Sequence, residues 1–81
     1  MNAPPTPRLD QLPIGTTAVV RQLRGGSELL NRLAAMGLST GVQLAVLQNT
    51  GRGPMLVNVR DTRIALGRGE ASKILVEKTG T

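Results

Sequence analysis

Only one stretch of this 81-residue chain repeats its apolar residues at helical spacing: Leu29, Leu30, Leu33, Ala34 and Met36. The other apolar runs are short, rich in β-branched residues and cut off by Gly, Pro, Asn or Asp. A helix of roughly ten residues does not persist alone in water, so this one must lie on strands.

Thr17–Leu23 reads as the first strand, ended by Arg24-Gly25-Gly26. In the helix that follows, Ser27 is the expected N-cap, and Glu28 places negative charge in the first turn. Glu28 and Arg32 have the spacing of an i,i+4 ion pair. Gly37 stands where a left-handed residue ends a helix, with Leu38 expected against Leu33 in a Schellman cap. After Ser39-Thr40-Gly41 the period changes to two, and Val42–Leu47 reads as the second strand. Gln48–Pro54 is a long turn, Met55–Arg60 a third strand, and Asp61-Thr62 a tight return into Arg63–Leu66. Gly67–Ser72 allows one helical turn before a closing strand at Lys73–Glu77. Gly15, Gly37 and Gly41 are the expected structural turns. The chain is thus mainly β: about five short strands with one helix inserted after the first. Closing them into a small barrel is one way to hide their edges.

The chain has no aromatic residue, so its core must come from Leu, Val, Ile, Ala and Met. A single domain of this length buries roughly 60–65% of its unfolded surface, and its stability is modest. No run approaches the roughly 18–20 apolar residues of a spanning helix, and the N-terminus lacks the apolar stretch of a secretory signal. Residues 1–8, with Pro4, Pro5 and Pro7, are expected as a disordered tail, 9–77 as the domain, and 78–81 as a frayed end. The expectation is a soluble cytoplasmic protein.

Catalytic chemistry is poorly supplied. With no His and no Cys, the commonest general base and nucleophile arrangements are missing. The carboxylates Asp10, Glu28, Asp61, Glu70 and Glu77 form no convergent pattern. Gly51-Arg52-Gly53 and Gly67-Arg68-Gly69 do not open long helices after strands, so they are not phosphate-binding fingerprints. Neither an enzyme nor a cofactor is expected. Without imidazole or thiolate, the remaining donors, including the thioethers of Met1, Met36 and Met55, do not select Fe(II) or Zn(II), and no metal site is assigned.

The formal charge is +5, with eight arginines and two lysines scattered along the chain. The alternative function from charge is a basic small-barrel module that binds nucleic acid. Against it, single-strand and RNA readers offer aromatic stacking platforms, and this chain has none.

The run Arg32-Leu-Ala-Ala-Met-Gly-Leu-Ser-Thr-Gly41 resembles the RL-x-x-MGL-x-PG signature of FeoA, the small cytosolic partner of the FeoB ferrous-iron permease. The likeness continues through Leu12–Gly15, Gly53–Val57, Ile64–Leu66, Glu70-Ala71 and Ile74–Val76. Thr40 departs from the pattern, where proline is common. The resemblance implies an SH3-like barrel similar to the C-terminal domain of DtxR-type iron-dependent repressors. With Met1 opening the domain, a free-standing FeoA is expected rather than a repressor fragment.

The resemblance further implies an accessory or regulatory role in ferrous iron uptake, by contact with the cytoplasmic part of the permease. It also brings an expectation of transition metal ion binding, which the donor set does not support. The helix and following turn, 27–41, are the expected docking face, with Leu29, Leu30, Arg32, Met36 and Leu38 as partner-binding residues. Oligomeric state is not specified by any of these features.

Overall fold

Five antiparallel strands carry the molecule, and the computed structural model describes residues 7–79 of it. A 3₁₀ turn at Leu9–Gln11 leads to β1 (Thr17–Leu23) and α1 (Ser27–Ala35). Then come β2 (Gln43–Gln48), β3 (Met55–Val59), β4 (Thr62–Leu66), the one-turn helix α2 (Arg68–Ala71) and β5 (Ile74–Thr79). The strands line up as β4-β3-β2-β1-β5. The mainly β reading, with a helix after the first strand, is therefore correct. β4 and β5 do not pair with each other, so the ladder stays open rather than closing into a cylinder.

Alternation along each strand builds the core. Ala18, Val20, Leu44, Val46, Met55, Val57, Val59, Ile64, Leu66, Ile74 and Val76 all point inward and are buried. Register puts them side by side: Ala18 opposite Leu44, Val57 opposite both Val46 and Ile64, and Val20 opposite Val76. The outer face carries a row across all five strands, Thr79, Thr17, Ala45, Asn58 and Arg63, each opposite the next. Thr17 Oγ1 donates to the Thr79 carbonyl at 2.8 Å, which ties β5 to β1 from that face. Bulges at Arg21 and Leu47 interrupt the β1–β5 and β2–β3 ladders. Such insertions increase twist and bend a sheet, which lets this one wrap a core without aromatic side chains.

Local chemistry moved several boundaries. Gly26 is the N-cap of α1, in extended conformation, and Ser27 is already helical. The Gly26 carbonyl accepts the Leu30 N–H at 3.1 Å, so no serine cap forms. Strand β2 starts and ends one residue later than expected, at Gln43 and Gln48. The hairpin between β3 and β4 turns at Arg60 (φ 50°) and Asp61 (φ 66°), with Val59 opposite Thr62. That two-residue turn spares the β-branched Thr62 a positive φ and gives one to Asp61, a residue type that tolerates it.

The ordered domain also extends past both expected limits. The Pro7 carbonyl accepts from Val76 N–H at 2.9 Å, and Arg8 bridges Leu75, so both belong to the sheet and not to a tail. Lys78 and Thr79 continue β5 opposite Ala18 and Thr17. The rest of the two expected tails, residues 1–6 and 80–81, lies outside the described residues.

Candidate docking surface

The α1 segment is fixed to the core chiefly by Leu33, which is fully buried, a contribution on the order of 2 kcal/mol. Its far end is closed by a Schellman cap. The Leu38 N–H donates to the Leu33 carbonyl at 2.9 Å, and Gly37 N–H to Ala34 at 2.9 Å. Gly37 has φ +92°, as the cap requires; Gly15 and Gly41 also carry positive φ, at +88° and +93°.

The five expected partner-binding residues separate on this scaffold. Leu29 and Met36 are partly buried and pack on the core. Leu29 lies over Gly25, where an added Cβ would stand 2.7 Å from its Cδ2. Leu30, about 100° further round the helix, is partly buried and stands outside the core cluster. Ala34, assigned to the apolar stripe by its spacing, is exposed. Leu38 is fully buried beside Leu33 in the core, so it cannot meet a partner directly and leaves the docking set. Arg32 is exposed but engaged. Its Nη2 pairs with Oε2 of Glu70 on α2, in place of the expected pairing with Glu28. Glu70 Oε1 meanwhile accepts the Gly67 N–H at 3.0 Å, so one carboxylate caps α2 and ties it to α1.

Beside the C-terminal end of α1 lies an open groove of about 550 Å³. Ala35, Met36 and Gly37 form one wall and residues 62–65 of β4 the other. Ile14, on the turn before β1, is 66% exposed and was not singled out from the sequence.

Another cluster escaped the sequence reading because its members are far apart in the chain. Asn49 Nδ2 donates to the carbonyls of Leu12 (2.8 Å) and Asp10 (3.1 Å). Its Oδ1 accepts from Arg68 Nη1 at 2.9 Å, and Arg68 Nη2 reaches the Asp10 carbonyl at 3.0 Å. The cluster joins the 3₁₀ turn, the β2–β3 loop and α2, and is structural. The only signal in the sequence was an asparagine within a turn-rich stretch.

A model of the FeoA domain matches residues 8–78. The chain belongs to the FeoA family. Over 63 residues it is 36% identical to a candidate Fe(2+) transport protein A of Methanocaldococcus jannaschii, covering 78% of this chain and 76% of that one. The crystal structure of an iron uptake regulatory protein, FeoA, superimposes with a TM-score of 0.88 at 30% identity. That match spans 91% of this chain and 99% of the other. The zinc-complexed FeoA of Stenotrophomonas maltophilia, described as an SH3 domain protein and a candidate ferrous iron transport activating factor, gives 0.71 at 32% identity, over 86% and 88%. A manganese-dependent transcriptional repressor gives 0.85 at 25% identity, over 96% of this chain but 44% of its own. The SH3-like fold and the repressor likeness implied by the sequence are thus both present.

Zinc in that relative has no evident counterpart among the donors of this FeoA chain. It has no His or Cys, and no three carboxylates gather among the described residues. Asp10, Glu70 and Glu77 are each paired with an arginine, Arg8, Arg32 and Arg21 respectively. Hard, dispersed and already paired, these oxygens do not fit a tight Zn(II) or Fe(II) site.

Proposed function

We propose that this chain is a non-catalytic accessory protein of ferrous iron uptake, acting in the cytoplasm by contact with the cytoplasmic portion of a FeoB-type permease. Its family is one of ferrous iron transport, and the chain offers none of the usual nucleophile–base pairs. The observation that carries the reading is the make-up of α1. It presents Leu30 outside the core beside the exposed Asn31, on a helix locked by the Gly37 cap and the Arg32–Glu70 pair. A rigid insertion with a partly uncovered leucine suits protein recognition.

The test is a titration of isotope-labelled protein with the purified cytoplasmic portion of the permease, followed by amide NMR. Saturable shifts at residues 27–38 support the reading. A spectrum unchanged at millimolar permease fragment would overturn it.

A further inference from the structure

We propose that the free edge of β4, with the groove beside it, accepts an extended acidic segment of a partner protein as an added strand. This rests on the reading that the protein works by protein contact, and it names the mode of contact.

The two sheet edges are treated differently. The outer edge of β5 is occupied by the chain itself, through the Arg8–Leu75 bridge and the Pro7–Val76 hydrogen bond. β4 pairs only with β3, and no other described segment bridges it. The hairpin register fixes which groups are free. Val59 and Thr62 close a two-residue turn, so Thr62, Ile64 and Leu66 direct their main-chain groups at β3. Alternation then leaves the N–H and C=O of Arg63 and Ala65 pointing outward. These are the groups an incoming strand would bind.

Side chains define what that strand should look like. Arg60 and Arg63 are exposed and have no ion-pair partner among the described residues, while Asp61 is the only carboxylate on that turn. Arg63 on the edge also opposes pairing with a second copy of this chain, which carries the same charge. Acidic residues are therefore favoured opposite Arg63. The intervening residues of the added strand point to the other face. There the groove offers Ala35, Met36, Gly37 and Ile64, which suit an apolar side chain. The occupant is an alternating acidic and apolar segment in extended form.

The probe is a capped Glu-Val heptapeptide, with its Lys-Val counterpart as control. The chain has no Trp or Tyr, so amide NMR and hydrogen exchange are the appropriate readouts. Saturable binding of the Glu-Val peptide, with slowed exchange at Arg63 and Ala65, is the expected result. Ala65→Pro removes an outward N–H that makes no ladder bond, and should weaken binding about tenfold with the fold intact. Should that variant not fold, Arg63→Glu supplies the same test through charge. Equal binding of both peptides, or protection elsewhere, overturns the proposal. So does a dimer of the free protein that Ala65→Pro dissolves, which assigns the edge to a second copy. Permease contact unchanged in a folded Ala65→Pro variant removes the strand mode but leaves the contact reading standing. Absence of contact by the wild-type protein removes the contact reading itself.

Discussion

Arg32 on α1 and Glu70 on α2 form an ion pair across 38 residues of chain. The Arg32 side chain is 64% exposed and that of Glu70 20%, so water screens the attraction. An exposed pair of this kind contributes about 0.2–1 kcal/mol. Arg32→Gln should lower stability by no more than that in urea melts. Glu70→Ala should cost more, because the Gly67 N–H loses its acceptor as well. Equal losses in the two variants would show that the capping bond contributes nothing. Charge reversal at Arg32 is a poor probe of docking, since it would place two carboxylates side by side at α2.

Gly37→Val should destabilise by more than about 1 kcal/mol in thermal melts, since β-branched residues are penalised at positive φ. Space is not the cause: a Cβ at Gly37 would meet only Val59 Cγ1, at 3.9 Å. Gly37→Asn should therefore recover much of the loss. A valine variant as stable as the parent would exclude the cap as a stabilising element.

Asn49→Ala should cost about 1–3 kcal/mol, the range for leaving partly buried donors and acceptors unmatched. It strips the Leu12 carbonyl of this donor, the Asp10 carbonyl of one of its two, and Arg68 of an acceptor at once. Urea melts check the size of the effect. Exchange at the Leu9–Gln11 turn should rise with it, and a loss confined to the β2–β3 loop would show that the cluster does not couple the two.

Elements whose cause is local were legible in the sequence. The Gly37–Leu38 cap and the period-two run of β3 need only neighbours a few residues away. The cap stands where expected. β3 starts at Met55 as expected but ends at Val59, one residue early, because Arg60 turns at φ 50°. Strand and cap boundaries missed by about a residue for local reasons, whereas the larger misplacements depend on partners remote in the chain. Arg32 prefers Glu70 to Glu28 because α2 folds back within its reach. Pro7 and Arg8 look like tail by composition, yet β5 offers them main-chain hydrogen bonds. Of the docking set, Leu38 is fully buried, in line with its expected cap contact with Leu33, and that contact leaves it no face for a partner.

Metal and nucleic acid can be tested together. Calorimetry with Fe(II) or Zn(II) should give weak or no heat near neutral pH, because the donors are dispersed carboxylates, three of them already paired. Oligonucleotides should bind only through the +5 charge, without sequence preference and with affinity falling steeply as salt rises. A stoichiometric sub-micromolar metal isotherm contradicts the first expectation. Salt-resistant binding to one sequence contradicts the second.

Leu30 is the residue on which the docking face stands or falls. The competing explanation is that the α1 leucines only seal the open end of a small core, since a domain of this size has few apolar residues to spare. For Leu33 and Leu29 that explanation suffices, because both pack on the core. Leu30 is partly buried without joining that cluster, so a polar replacement should cost little folding energy, within about 1 kcal/mol. Leu29→Gln, by contrast, strips a side chain that packs over Gly25 and should destabilise clearly. This difference lets binding be separated from folding. If α1 meets the permease, Leu30→Gln keeps its melting temperature and loses both contact and Fe(II) uptake. If α1 is only a seal, Leu30→Gln either melts early or behaves as the parent in both assays. A folded Leu30→Gln variant with full uptake would remove this helix face, and leave the β4 edge to be judged on its own test.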